Sequence, residues 1–390
     1  MEAIVLNTDL EAVGVIDRYK SFIWTDRFQE CGDFEICLLA KYGLPEFIQE
    51  DHYLVCDKSE HAMIIETIRI DSDPEDGTTF LISGRSLESL LDRRIVWTKT
   101  SFEATQSKDA STGEITLTKP NLQNGVEKLL NDSIINPTMA IRKIDNFIFE
   151  KSEDEKVTSL VFEAQYFGDE LYSAIVKLCQ EHDIGFKVTI NANNQFVFKL
   201  YAGVDRSYGT EDKPQTVNPY IIFSPEFDNV MNTNYLESNS GFKNVTLVGG
   251  ESETDDNGEE ISRDTYVVSL AELSSGISRR EIFTDAGSVT RNADQDTNLT
   301  EEQYQAHLRK AGIDTLIECA RIRAFDGEID PNSMYVYGED YAIGDVVQIA
   351  NEYGQEGQAY ISEYIMSCDE QGISAYPTFI TIQRGEYDTE

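Results

Sequence analysis

The sequence predicts a mainly β protein with α+β insertions: two related small β-barrels, a middle α+β domain and an inserted region of strands and one helix. Three observations carry this expectation. Short runs of β-branched and aromatic residues with alternating polarity fill the first hundred residues and return after Pro219. Apart from one short helix after Ser86, runs with helical spacing fall in the middle of the chain and in one long stretch beginning near Glu301. A segment of the first hundred residues recurs weakly in the last fifty.

Taken in order, residues 4–6, 13–16 and 34–39 are strand candidates. In the third, Phe34, Ile36 and Leu38 alternate with Glu35 and Cys37 as one buried face requires. Residues 53–56, 63–70 and 79–82 continue the series, with Asp76-Gly77 as a hairpin signal because both residues tolerate positive φ. Ser86 can cap a short helix that puts Leu87, Leu90 and Leu91 on one face. These elements make residues 1–100 the first small barrel. The Ser-, Thr- and Asp-rich stretch 98–118 reads as a long loop or flexible hairpin leading into an α+β domain at residues 101–215. There, residues 121–131 and 169–182 have helical spacing, the second with Leu171, Ile175 and Leu178 on one stripe and Gly185 as a left-handed terminator. Residues 186–190 and 196–201 flank Asn193-Asn194 as a hairpin. Strands at 244–248 and 265–270 border an acidic tip at 254–260, and a helix over 301–323 opens with a capping box of Thr300 and Gln303. Residues 216–250 and 333–390 are assigned to the second barrel, and 251–332 to the insertion.

The repeat sets Asp51-His52-Tyr53-Leu54-Val55 against Asp345-Val346-Val347-Gln348-Ile349. Farther on, Ala62, Ile64, Glu66 and Ile68 recur without a gap as Ala359, Ile361, Glu363 and Ile365, and both copies then pass through an acidic turn ending in Gly77 or Gly372. Duplication of a barrel explains this. It places Ile64 and Ile361 at equivalent inward positions, with Glu66 and Glu363 on the same relative face.

A formal charge of -39, from 71 acidic against 32 basic residues, makes extended surfaces repel phosphate and anionic lipid, which disfavours conventional nucleic-acid or membrane binding. Six cysteines, at 31, 37, 56, 179, 319 and 368, form no Cys-x-x-Cys pair and have no histidine at ligand spacing, so reduced core thiols are expected. The N-terminus has no basic segment followed by an apolar run, and no stretch approaches the length of a bilayer-spanning helix; synthesis and assembly in a cytoplasm are expected.

No catalytic, cofactor-binding or metal-ligating residue is predicted. His52, His61, His182 and His307 are scattered, and the chain has no nucleophile elbow, Walker loop or dinucleotide fingerprint. Residues 71–77 resemble a calcium loop but carry glycine at the seventh position instead of the sixth, and 254–260 lack a following bidentate glutamate. Trp24 and Trp97 lie beside apolar strand residues and are expected to pack in a core or interface rather than form carbohydrate platforms.

Three motifs resemble the siphophage tail-hub family, which forms the N-terminal part of tail-associated lysins and shares its fold with contractile-phage hubs. They are Trp24-Thr25-Asp26-Arg27-Phe28 with Gly32-Asp33-Phe34-Glu35-Ile36, then Ile82-Ser83-Gly84-Arg85-Ser86 through Asp92-Arg93-Arg94, and Asp340-Tyr341-Ala342-Ile343-Gly344-Asp345-Val346-Val347 near the C-terminus. The resemblance implies a homotrimer in which three chains with two barrels each form a ring of pseudo-sixfold symmetry. It further implies a place at the virion tail tip, between the distal tail ring protein, with the tail tube or tape-measure protein, and the fibre or receptor-binding proteins. DNA would be met only in passage, and no cofactor is implied. Asp255, Asp256, Glu259 and Glu260 are candidates for an acidic lumen or loop. A lysin would carry a long C-terminal extension; with strands running up to Glu390, no lysin domain is expected. The alternatives are a tail-associated cell-wall hydrolase and a carbohydrate-binding adhesin.

Overall fold

Strands β1 (Ala3–Leu6), β2 (Ala12–Ile16), β3 (Ser21–Arg27), β4 (Asp33–Leu39), β5 (Tyr53–Cys56), β6 (Ala62–Asp73) and β7 (Gly77–Ser86) form where apolar and polar residues alternate. A second group follows the middle of the chain: β8 (Ile222–Phe223), β9 (Met231–Ser238), β10 (Ile322–Glu328), β11 (Val346–Ala350), β12 (Glu356–Asp369) and β13 (Gly372–Ile380). The structure is a computed structural model that describes residues 1–73, 77–108, 115–208, 218–255, 260–270, 275–292, 298–329, 334–350, 356–370, 372–380 and 387–389.

Among the described residues these strands join one sheet in the order β9-β10-β13-β12-β3-β4-β7-β6-β5-β1-β2, with β11 beside β12 and β8 beside β11. The two separate closed barrels expected from the sequence are therefore not found. The cause is β12, which is 14 residues long. It pairs with β11 over residues 356–360 and with β3 over 363–368, stitching the two strand groups together and leaving the sheet open at β9 and β2.

A duplication is nevertheless present. β3-β4-β7-β6-β5-β1 and β9-β10-β13-β12-β11-β8 are six-strand units of one order; they differ in that β1 is antiparallel to β5 whereas β8 is parallel to β11. Each has a bulge at the same place, after Ile65 between β6 and β7 and after Ile361 between β12 and β13. Leu54 faces Met63 as Val347 faces Ala359, so the structural register pairs Met63 with Ala359 and Ile65 with Ile361. The sequence alignment of Ile64 with Ile361 is one residue out. Such a slip moves every side chain to the other face: Ile361 and Ile65 lie in the central core, while Ile64 lies in the core of the α+β region. Glu66 accordingly corresponds to Ser362, not to Glu363.

The α+β region packs α1 (Leu122–Leu130) and α2 (Leu171–Glu181) against strands Phe147–Glu150, Gly185–Ile190 and Phe196–Tyr201. Asn121 caps α1 by accepting from the Asn124 N–H at 3.1 Å, and Asn194 turns the 190–196 hairpin with φ 55°. The segment 98–118 contains the paired strands Thr105–Lys108 and Ile115–Thr118. Two local expectations change. The left-handed residue after α2 is Asp183 (φ 46°), and Gly185 instead begins a strand, where a Cβ would lie 2.4 Å from the Phe28 ring. Ser86 precedes a 3-10 turn, Leu87–Arg93, without capping it, because its hydroxyl accepts the Gly32 N–H at 2.8 Å.

A four-stranded sheet of Val245–Thr254, Glu260–Leu270, Glu281–Asp285 and Tyr387–Thr389 carries α3 (Glu301–Glu318) on one face. The capping box is formed, with Thr300 N–H donating to Gln303 at 2.9 Å and Gln303 N–H to Thr300 at 3.3 Å, but the helix stops at Glu318, short of the expected 323. No helix among the described residues is long and apolar enough to cross a membrane.

Candidate functional site

The loop from Phe28 to Gly32, between β3 and β4, is the joint at which the two units and the α+β region meet. The buried Phe28 ring fills the space left by two glycines: a Cβ on Gly185 or on Gly344 would lie within 2.4 Å of it. Gln29 donates to the carbonyls of Cys179 and Ile184 at 3.2 Å, and the Tyr172 hydroxyl accepts the Cys31 N–H at 2.8 Å. Gly344 has φ +86° as it leads into β11, a conformation in which glycine is favoured.

Three buried carboxylates pin the joint. Asp26 accepts from Trp24 Nε1 at 3.0 Å, lies 2.8 Å from Ser59 Oγ, and accepts from the Tyr337 hydroxyl at 3.0 Å, joining β3 to the β5–β6 turn and to the approach to β11. Glu88 accepts the Val188 N–H at 2.7 Å and meets His61 Nδ1 at 3.2 Å. Burial alone would lower the His61 pKa, but the Asp26 and Glu88 carboxylates outweigh it and raise the value to about 9. For Glu88, burial acts upward and is overcome by His61, Ser86 and the Val188 N–H, which hold its pKa below the usual carboxylate value. Asp345 accepts from Arg206 Nε at 2.6 Å and from the Val204 and Ala342 N–H groups at 2.8 and 3.1 Å. A cleft of about 620 Å³ opens above these groups, lined by His61, Lys187, Tyr201, Tyr337 and Asp345 among others. Asp26 and Asp345 engage both carboxylate oxygens in hydrogen bonds and Glu88 engages Oε1, while Glu88 Oε2 is buried without a hydrogen-bond partner among the described residues; these bonds fix geometry.

The residues singled out by sequence divide between this joint and the sheet. Trp24 and Phe34 are core neighbours, with ring centroids 6.3 Å apart. Gly32 is required because a Cβ would fall 2.2 Å from the Thr25 carbonyl oxygen, and Gly84 because one would fall 1.8 Å from that of Ile64. Asp33 and Arg85 stand opposite each other on β4 and β7 but bond elsewhere: Asp33 with Arg27 at 2.5 Å, Arg85 in a fork with Glu66 at 3.0 Å and with Asp92 at 3.0 Å. Arg93 pairs with Asp51 at 3.0 Å. Trp97 is exposed, with the Arg142 guanidinium 4.8 Å above its ring, so it is not a core residue. Glu260 is exposed beside Arg263 at 3.1 Å, Asp255 is half-buried, and Asp256 and Glu259 lie outside the described residues. His61, Glu88 and Tyr337 were not singled out as site residues; no spacing links them, because their partners lie on other elements.

The six cysteines are free thiols, four of them buried, and burial raises Cys31 to about 12 and Cys56 to about 11. Among the described residues no group of three or more His, Cys, Asp or Glu side chains could hold a metal ion.

The whole fold, a duplicated sheet unit pinned by buried carboxylates to an α+β region, is similar to that of phage tail proteins of known structure. Solved structures with this fold include the 43 kDa tail protein of prophage MuSo2 from Shewanella oneidensis, at 11% identity and TM-score 0.51, covering 97% of this chain and 98% of that one. The tail protein from Neisseria meningitidis MC58 is similar at 11% identity and TM-score 0.51, covering 97% and 96% of the two chains. No curated protein matches the sequence. The chain belongs to the family of Siphovirus ReqiPepy6 Gp37-like proteins, which it matches over residues 2–379. Its fold is similar to that of phage tail proteins.

Proposed function

We infer that this chain is the hub of a tail tip: a homotrimer whose ring joins the distal tail ring protein above to fibre or receptor-binding proteins below and surrounds the DNA passage. One observation carries the reading, namely that a single chain contains two six-strand units of the same order. Three such chains supply six similar faces, which lets a trimer dock on a sixfold tail. The work is mechanical, not catalytic, and the buried pins suit it, since they hold the two units of one chain at a fixed relation. The tail tube or tape-measure protein is met from the same ring face. Light scattering of the purified protein and averaged images of the native particle test the reading: three copies about one axis support it, and a stable dimer or six copies in the particle would defeat it.

A further inference from the structure

One junction inside the chain has an unfilled counterpart. In the second unit, one edge of β12 holds β11 with residues 356–360 and β3 with residues 363–368, while β13 covers the other edge. In the first unit, β6 holds β5 with residues 62–64, and β7 covers its other edge. The continuation of the β5 edge, residues 67–72, pairs with no strand among the described residues. It is largely exposed, with Ile70 at 62%. At the far end of the sheet, β9 pairs with β10 on one side and, among the described residues, with no strand on the other. It is the counterpart of β3, and it exposes Met231, Tyr235 and Leu236. Two open strand edges bearing apolar side chains are a pairing surface unless something covers them.

We propose that β6 of one copy pairs antiparallel with β9 of the next copy, repeating between chains the junction that β12 makes with β3 within the chain. The proposal rests on the trimer reading above and adds to it the strands, the direction and the register of contact. The occupant of each edge is a second copy of this chain, because the structure that fits the edge of β12 is a β3-type strand, and β9 occupies the β3 position in its unit.

The register follows from the duplication. Across the first unit, Trp24 faces Phe34, Phe34 faces Gly84, and Gly84 faces Ile65. Across the second, Tyr235 faces Phe325, Phe325 faces Phe379, and Phe379 faces Ile361. Tyr235 is therefore the counterpart of Trp24. Met366 follows Ile361 by the same number of residues as Ile70 follows Ile65. Within the chain Met366 faces Trp24, and both are buried. Between chains Ile70 would face Tyr235, an aliphatic side chain against an aromatic one, as cross-strand pairs favour. Arg69 would face Leu236, and Asp71 would face Asn234. This contact joins different patches of the two copies, so it is head-to-tail and closes into a ring when the rotation permits.

Paired cysteines test the register in the full chain. Ile70→Cys combined with Tyr235→Cys, oxidised and run without reductant, is expected to give a cross-linked ladder that stops at three chains. The parent and each single variant should give none. Ile70→Cys with Leu236→Cys should also give none, because Leu236 lies on the opposite face of its strand. Ile70→Asp, at an exposed position, should weaken association about tenfold or more without shifting thermal unfolding of the monomer. If light scattering shows a trimer but the Ile70–Tyr235 pair does not cross-link, the edge pairing is wrong and the trimer stands. A ladder that stops at two chains keeps the pairing and removes the trimer. A protein that stays monomeric at every concentration, with no cross-link, removes both.

Discussion

Ile65 and Ile361 hold the same place in two copies of one β-meander. Each is fully buried, each is the last residue before a bulge, and each makes the same pair of backbone bonds to the strand before it. Ile65 N–H donates to His52 O at 2.8 Å and its carbonyl accepts the Asp51 N–H at 2.8 Å; Ile361 N–H donates to Asp345 O at 3.0 Å and its carbonyl accepts the Gly344 N–H at 2.8 Å. The matching residues Asp51 and Gly344 both have positive φ, 62° and 86°. A left-handed residue, a strand and a bulge thus recur as one device, which aims the long strand first along its own unit and then outward.

The two left-handed residues differ in surroundings, and a pair of substitutions should separate conformation from packing. Gly344→Ala adds a Cβ that would lie 2.3 Å from the Phe28 ring and forces a non-glycine residue to positive φ, so it should destabilise by more than about 1 kcal/mol. Asp51→Gly relieves positive φ and loses only an exposed bond to Arg93, so its effect should stay within about 0.5 kcal/mol. Denaturant unfolding measures both. Equal losses would mean that Phe28 yields and the joint is soft.

What the sequence revealed was local, and what it concealed was distant. The Thr300–Gln303 capping box and the Asn194 turn were legible because their partners lie within a few residues. The role of Gly185 was not, since its reason is Phe28, far back in the chain. The repeat was legible as a pattern, but alternation has period two and Ile64 and Ile65 are both buried isoleucines, so the pattern could not choose between registers one residue apart. Closed barrels were expected because nothing local marks the pairing of β12 with β3, whose bond between Arg27 and Glu363 spans 336 residues. The motif residues stood out in the sequence without their partners. Their partners, and with them the joint, came only with the fold.

Stability should fall as pH rises through the titration of His61. Its folded pKa of about 9 lies above the ordinary 6.5, so the folded state binds the proton more tightly. That contribution is complete below about pH 6.5 and is lost as pH approaches 9. Glu88 acts at the other end: its pKa is held below 4.5, so its contribution is present above that value and fades as pH falls through the lower folded one. The thermal midpoint of the parent should drop more steeply between pH 6.5 and 9 than that of His61→Gln. Parallel curves would show that the pair is neutral in the fold.

The contact between α2 and α3 rests on one buried cation. Lys310 lies 3.0 Å from Glu181 and also pairs with Asp314, while Lys177 reaches Glu318 at 3.1 Å. Burial holds the Asp314 pKa above its ordinary value, against the pull of Lys310. Lys310→Met would remove the buried ammonium that faces both Glu181 and Asp314 and should cost about 3–5 kcal/mol at neutral pH. Acid should restore part of that loss, because protonating Asp314 removes the uncompensated charge. Adding Asp314→Leu should restore more. Urea unfolding at pH 7 and pH 5 checks the order, and a single variant as stable as the parent would mean that solvent reaches this contact.

A trimer would carry three times the formal -39 of one chain, and that excess surrounds whatever passage the ring encloses. On the hub reading, DNA leaves through that passage and must slide without being held. Basic side chains would hold it by releasing counterions from the phosphates, whereas acidic ones repel it and leave nothing for salt to weaken. The parent protein should therefore retain no DNA even at low ionic strength. Exchanging Asp255, Asp256, Glu259 and Glu260 for Lys should create retention that disappears steeply as salt is added, if that tip lines the passage. Were the acidic coat only a means of solubility on the outer surface, the exchanged protein would bind DNA on its outside, and particles assembled with it would eject their genome at the normal rate. Slowed ejection places the tip in the lumen; unchanged ejection, with DNA bound to the outer surface, removes it from there and leaves the hub reading intact.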